Sequence, residues 1–321
     1  MKILFVSSGN TKTGISSIIK NQGESLRRQG IDVEYYTIKG KGIIGYLKNI
    51  NKLRNFVIDK EFELIHAHYS FSALVVILSF LRLPIVVSYM GDDVLGSHDI
   101  NGKKTLIGKL EVFVTKLINL FVTIRIVKSK EMSQKIANSH IIPNGVDFKS
   151  YKEIEKSFSK DKLGLLKNKE FILFPADPKR PEKNFKLFEE VFRLSANNKY
   201  EYIYFDDTPN EMTPFFYNAS EIVVLTSFHE GSPNVIKEAM ACNIPIVSTD
   251  VGDVKEVISN TDGCFITSYE PKDIAAKIEM ALKYNKKTTG RLDVKHLEDS
   301  NIAKKIIDIY FLALDNFSTN Y

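Results

Sequence analysis

Residues 221–258 read EIVVLTSFHEGSPNVIKEAMACNIPIVSTDVGDVKEVI, and the order of elements in them decides the fold. Residues 221–226 are an apolar, β-branched run of the kind that forms a buried strand in a parallel sheet. A loop follows, Ser227 to Gly231. Ser232 has the chemistry of an N-cap, and Pro233 suits the first helical position, where a missing N–H costs nothing. The helix is expected to run to about Cys242, with a second buried strand over 244–249. Strand, loop, helix, strand is the repeating unit of an α/β domain. A helix N-terminus at the carboxyl end of a parallel strand is where such domains bind phosphate. Glu230 and Glu238 flank this helix start. Carboxylates repel phosphate, so the pair needs another ligand, and sugar hydroxyls fit. Either glutamate alone is more simply a solvated charge. The string as a whole favours a nucleotide-sugar site.

The segments EGSPNVIKEA (230–239), MACNIPIV (240–247) and DVGD (250–253) resemble the donor-site signature of glycosyltransferase family 4. The resemblance implies a retaining enzyme of GT-B fold, two Rossmann-like domains facing across a cleft. It implies that Glu230 contacts the donor sugar and Glu238 the nucleotide ribose. The backbone of Gly231, Ser232, Pro233 and Asn234 is then expected to assist at the diphosphate. The likeness runs over nearly the whole chain and is sharp at 140–147, 181–184 and 228–258.

The chain has 321 residues, 44% hydrophobic and 26% charged, which suits two soluble globular domains. Its two cysteines, Cys242 and Cys264, lack metal-type spacing and lie in apolar surroundings, as buried thiols of a reducing cytoplasm do. Met1-Lys2 leads straight into a strand, which is read as the start of a cytoplasmic chain. The longest apolar run, Phe71 to Leu81, is too short to span a bilayer. Net charge divides unevenly: +9 over residues 1–150 and −4 over 151–321. A basic half suits an anionic acceptor or an anionic lipid surface. Plain solubility is an equal alternative, and no nucleic-acid motif is present.

In the first half, strands are expected at 2–8, 32–38, 63–68, 85–90 and 123–129, a short strand and turn at 140–147, and helices at 15–29, 46–58, 103–120 and 130–137. Gly9 to Gly14 is a glycine-bounded loop between strand and helix. In the resembled family the loop ending at Gly14 lets the backbone approach the donor diphosphate and the acceptor. His66 and His68 alternate onto one face of their strand. His68 falls at the strand's carboxyl end, where it can bind acceptor or assist proton transfer. A histidine bonded within the sheet is the equal alternative there, and the stronger one for His66. The fourth strand ends in Met90-Gly91-Asp92-Asp93. Many members of the family carry a histidine before the glycine, and Met90 stands in its place here. Gly91 still permits close approach of the sugar, and Asp92 and Asp93 are the nearest polar groups. Helix 103–120 has apolar residues at 106, 107, 110, 113, 114, 117 and 118 beside lysines. It is read first as a core-packing helix with a solvated basic edge, and second as one resting on an anionic membrane.

The charged stretch 150–169 is taken as the linker. Beyond it, strands are expected at 170–176, 200–205 and 263–267 and helices at 185–196, 271–284 and 300–316. The loop DPKRPEKNF (177–185) holds Arg180 and Lys183. In the family this loop supplies an arginine and a lysine to the donor diphosphate, and Lys183 matches the lysine. A departing nucleotide gathers negative charge, which fixed cations and a helix N-terminus stabilise. No metal is therefore expected.

The reading is a cytoplasmic glycosyltransferase, peripheral at the inner membrane face, in cell-surface polysaccharide or glycolipid assembly. Residues 1–155 form the acceptor-side domain, with helix 303–321 packed back on it. Residues 156–302 form the donor-binding domain. Glu230, Asp92 and His68 are the catalytic candidates. Gly14, Gly91, Arg180, Lys183, Gly231, Ser232, Pro233, Asn234 and Glu238 are the donor-binding ones. The partners are a nucleotide-diphosphate sugar, a carbohydrate or lipid-linked acceptor and an anionic membrane surface, without nucleic acid. A nucleotide-sugar epimerase or hydrolase, or a non-catalytic binding subunit, remains the alternative. The base, the sugar and the acceptor are not encoded in any readable motif.

Overall fold

The computed structural model describes residues 1–11, 14–97, 99, 103–195 and 199–319. Lys12 and Thr13 of the glycine-bounded loop, residue 196 of the expected helix 185–196 and residues 320–321 lie outside that set. The chain divides into two units. The first comprises Met1–Ser97, Lys104–Gly145 and Asp299–Tyr321, and the second is built on Val146–Glu298.

The first unit holds β1 (Lys2–Ser8), β2 (Asp32–Ile38), β3 (Leu64–His68), β4 (Ile85–Ser88), β5 (Ile124–Val127) and β6 (Ser139–Ile141). They form one parallel sheet in the order β2-β1-β3-β4-β5-β6. Side chains alternate across it. Leu4, Val6, Ile65 and Val87 enter a core closed by Leu53, Val76, Val114 and Ile118, from the helices Ile50–Ile58, Ser70–Leu78 and Leu106–Ile118. Phe5 and His66 stack edge to face on the opposite side. There Tyr310, from the helix Asp299–Ser318, reaches His66.

The second unit holds β7 (Glu170–Phe174), β8 (Tyr200–Tyr204), β9 (Ser220–Leu225), β10 (Ile246–Thr249) and β11 (Phe265–Thr267), in the order β11-β10-β9-β7-β8. All of its pairs are parallel too. Its core is fully buried and rich in aromatic and branched side chains, among them Phe174, Phe188, Ile222 and Val247.

Each sheet has one place where the strand order reverses, between β1 and β3 in the first and between β7 and β9 in the second. The carboxyl ends of such a pair leave a crevice that helices do not fill, and ligands bind there. The topology thus singles out Gly9 and His68 in one unit, and the loops after Phe174 and Leu225 in the other.

The chain passes between units at Gly145–Val146 and returns at Glu298–Asp299. A side chain at Gly145 would press on the Cα of Asp299 at 3.0 Å, so the outgoing chain fits only with glycine. The stretch expected as a linker is not one. Within 150–169 lies a helix, Lys156–Leu163, capped by the Glu155 carboxylate and closed by Gly164 in the left-handed region. Its lysines misled the reading, because charge density marks an exposed helix as readily as a linker. Short helices at Gly42–Leu47, Ser70–Leu78 and Thr213–Ala219 were also not expected.

Candidate active site

In the second unit the site begins where β7 and β9 end. After β7 the chain reaches a single 3₁₀ turn, Pro181–Lys183, and Asn184 takes a left-handed conformation at φ 54°. Thr226, just beyond β9, donates its hydroxyl to the carbonyls of Lys183 at 3.1 Å and Asn184 at 3.0 Å. The amide of Phe228 donates to the carbonyl of Glu182 at 2.9 Å. The two loops after the two strands are therefore stitched together. Lys183, only 6% exposed, is ion-paired with Glu230. Ser227 adds a hydroxyl donor to the same Glu230 oxygen at 2.9 Å. Arg180 stands apart from this pair, more than half exposed and held by Glu182.

The helix Asn234–Ala241 starts one residue later than expected, with Pro233 as its N-cap. Proline has no side-chain acceptor, and Ser232 does not cap. Its hydroxyl donates instead to Asp253 at 2.7 Å, and it also accepts from Lys237. Lys237 is completely buried and paired with Asp253 at 3.1 Å. The sequence offered this signal, since a lysine five residues past a serine on a buried helix face needs a counter-charge, and the aspartate of the 250–253 loop supplies it. That loop crosses close above. Gly252, at φ +61°, would put a Cβ 2.9 Å from the carbonyl oxygen of Gly231. Among the described residues, the side-chain oxygen of Asn234 is buried without a hydrogen-bond partner. An unpaired acceptor at a helix start invites a ligand donor.

Glu238 lies one turn further on. It accepts the Tyr217 hydroxyl at 2.6 Å, and burial pushes its carboxyl above the ordinary range while that hydroxyl and the nearby Tyr151 oppose the shift. Sequence reasoning missed both tyrosines. It also missed Tyr269, whose hydroxyl donates to the Ser227 carbonyl at 2.9 Å and steadies the loop before Glu230.

In the first unit, Gly14 has φ +80° with open space where a Cβ would stand. The helix behind it, Ser17–Arg28, is capped by Ser16. His66 is a structural residue: its two ring nitrogens bond Tyr310 at 2.7 Å and Ser88 at 2.8 Å. His68 differs. It is 1% exposed, stacked on His66 at 4.3 Å, and neither ring nitrogen has a hydrogen-bond partner among the described residues. Burial, helped by the Lys128 charge, drives its pKa down to about 3, so the ring is neutral at cellular pH. Next to it Tyr69 adopts φ 78°, an uncommon conformation for a bulky residue that clusters at functional turns.

Gly91 has φ 139° at the end of the β4 loop. Of the two aspartates that follow, Asp92 is exposed and Asp93 is buried. Asp93 takes the amides of Met90 at 2.9 Å and Gly91 at 3.0 Å on one oxygen, and that of Ser70 at 3.2 Å on the other. Its pKa is pushed up to about 7 by burial against the pull of those amides. The residue that builds this loop is Asp93, while Asp92 is exposed beside it. A buried aspartate at a helix start is hard to tell from its exposed neighbour in sequence.

Residues 169–284 match the model of the family "Glycosyl transferases group 1". Over this stretch the chain is similar to the group 1 glycosyltransferases. The matched stretch contains Arg180, Lys183, Glu230 and Glu238, and it lies within the second unit of the fold. A relative is the putative teichuronic acid biosynthesis glycosyltransferase TuaC of Bacillus subtilis, 24% identical over 69% of this chain. The match spans only 61% of the length of that protein. Another is the UDP-Gal:alpha-D-GlcNAc-diphosphoundecaprenol alpha-1,3-galactosyltransferase of Escherichia coli, 23% identical over 85% of this chain and 80% of that one. Among solved structures, sucrose-phosphate synthase from Thermosynechococcus elongatus superposes with a TM-score of 0.75 at 16% identity, covering 97% of this chain and 98% of that one. That likeness shows the fold, the GT-B class of two parallel-sheet Rossmann-like domains.

Proposed function

We propose that the protein is a retaining hexosyltransferase that moves a sugar from a nucleoside-diphosphate sugar to an acceptor hydroxyl in cell-surface polysaccharide or glycolipid assembly. The observation that carries the reading is the buried Lys183–Glu230 pair at the strand-order reversal of the second unit, beside the start of the helix Asn234–Ala241. A diphosphate placed there takes the Lys183 charge. Glu230, released from the lysine, turns to the hydroxyls of the donor sugar. Arg180 leaves Glu182 to join Lys183 on the phosphates, and the backbone of Gly231, Ser232, Pro233 and Asn234 faces the same anion. Glu238 takes the ribose. With these cations in place the diphosphate leaves without a metal, so chelator leaves turnover unchanged.

In the first unit Gly14 and Gly91 let backbone approach the substrates. Asp92 and the neutral His68 serve the acceptor, His68 by accepting a hydrogen bond from its hydroxyl. The galactosyltransferase relative, named for a diphosphoundecaprenol-linked acceptor, supports an acceptor of that kind, and such an acceptor places the reaction at the inner face of the membrane.

A panel of nucleotide sugars tests the reaction: nucleotide release that depends on added acceptor, with the anomeric configuration kept in the product, is expected. Hydrolysis or epimerisation of donor without acceptor would show the rival enzyme, and tight binding without turnover a binding subunit. Glu238→Ala is expected to weaken donor binding about ten- to hundredfold, the worth of a charged hydrogen bond or two, with the fold intact. An unchanged dissociation constant in that variant would remove Glu238 from the ribose.

A further inference from the structure

The helix Leu106–Ile118 is apolar on two sides. Gly108, Glu111, Val114, Thr115 and Ile118 are buried on one. On the other, Leu106, Leu110, Phe113 and Leu117 recur at intervals of four, three and four and stay exposed, Leu106 at 83% and Phe113 at 58%. The chain continues with Leu120 and Phe121, equally bare. A helix that only closes a core needs one apolar stripe. The basic-edged core helix expected from the sequence is therefore only half the description, because most of the apolar positions that suggested it face solvent. Leu117 and Phe121 also wall an open groove of about 920 Å³ with Phe80, and Arg54 and Arg82 stand at it. A continuous apolar surface of this extent marks an interaction site.

The surrounding charge selects the occupant. Residues 39–58, 70–92 and 104–125 carry ten lysines and arginines against two acids, Glu111 and the exposed Asp92. Glu111 is buried and takes the hydroxyl of Tyr69 and that of Ser97, so it puts no negative charge on the surface. A second copy of so basic a face would be repelled. Nucleic acid would leave the bare leucines and phenylalanines unused. A surface that is anionic outside and apolar beneath satisfies both features. Lys109 and Lys116 are exposed on the same helix, with stems able to lie along apolar surface while their ammonium groups reach headgroup phosphates.

We propose that this face docks the protein on an anionic lipid bilayer, with Leu106, Leu110, Phe113, Leu117 and Phe121 entering the boundary between headgroups and acyl chains. The proposal deepens the membrane-face reading above and does not depend on the transfer reaction. It also explains a placement. The middle of the helix is tied to the loop that follows the carboxyl end of β4: Ser97 donates to Glu111 at 2.6 Å, and Thr115 donates to the carbonyl of Asp93 at 2.5 Å. A bilayer lying along the helix brings its headgroups toward the strand ends that carry His68 and Gly91, where a lipid-borne acceptor has to arrive.

The test is flotation of the full chain with vesicles, in the absence of donor and acceptor, so that its result is separate from that of the transferase reading. Vesicles of phosphatidylcholine with roughly 30% phosphatidylglycerol are expected to carry the protein, and pure phosphatidylcholine far less. Phe113→Ser with Leu117→Ser, both at exposed positions, should lower binding about tenfold or more, and Lys109→Glu with Lys116→Glu should do the same. Unchanged melting and nucleotide binding in both variants would show that the fold is kept. Absence of binding to the anionic vesicles would overturn the proposal, as would equal binding by the serine variant. So would a stable dimer that the serine variant dissolves, since the face would then belong to a second copy.

Discussion

Asp93 shows how one buried carboxylate organises a loop and makes it sensitive to pH. Its two oxygens gather the amides of Met90, Gly91 and Ser70, and so tie the end of β4 to the turn that follows His68. Burial outweighs those bonds and raises the group from 3.8 to about 7. In the unfolded chain the carboxyl ionises near 3.8, so between about pH 4 and pH 7 the native state holds a proton that the unfolded state has lost. Stability from this group is complete below the unfolded value and falls as pH rises through the folded one. Melting curves of the wild type and Asp93→Asn between pH 4.5 and 8 read the effect. The wild-type stability is expected to decline with rising pH more steeply than that of the variant, which cannot ionise. Parallel pH profiles would show that Asp93 does not titrate in this window. The sequence presents Asp92 and Asp93 as equals, and only burial separates the loop-builder from the exposed residue.

Among the elements, the helix Asn234–Ala241 and the two loops above it form the part of the site most dependent on backbone fit. The 250–253 loop presses on the 230–231 backbone, and Gly252 makes the approach possible by both its φ of +61° and its lack of a side chain. Gly252→Ala meets a carbonyl oxygen at 2.9 Å in a conformation that L side chains avoid. That change should destabilise the second unit by about 1–3 kcal/mol and weaken donor binding, read by denaturant melting and nucleotide titration. Donor affinity equal to wild type would mean that this loop plays no part in shaping the site. The strands of this region were legible because buried parallel strands are continuous apolar runs, and the glycines because their spacing follows a known signature. The helix start was misplaced by one residue, since a serine before a proline looks like a cap until Lys237 and Asp253 compete for its hydroxyl. Helix Leu106–Ile118 was legible as a helix but not by its faces, because periodicity shows where the apolar stripes lie and not which one the core takes. Helix Lys156–Leu163 was lost to its own lysines.

At the scale of the whole molecule, the first unit is discontinuous in sequence. Its strands come from the first 141 residues, and one of its layers is the helix Asp299–Ser318, which buries Ile302, Ile306, Ile309 and Tyr310. Ser25 donates to the carbonyl of Asp299 at 2.9 Å, so the helix is fixed from its first residue. The deepest tie is Tyr310 to His66, and through His66 to Ser88: a hydrogen-bonded chain from the last helix to β3 and β4, directly beside the stacked His68. A chain with two units need not melt in one step, and a change in one unit is expected to move only that unit's transition. Tyr310→Phe keeps the ring and its packing and removes one hydroxyl, leaving a buried imidazole nitrogen without its partner. The loss should be about 1–3 kcal/mol, the cost of an unmade buried hydrogen bond. In calorimetry this should lower the transition that nucleotide does not stabilise, while the nucleotide-stabilised transition of the second unit stays where it is. If the nucleotide-sensitive transition fell by the same amount, the two units would be melting as one cooperative body. If neither transition moved, the Tyr310–His66 bond would contribute nothing to holding the terminal helix in place, and that helix would rest on its apolar face alone.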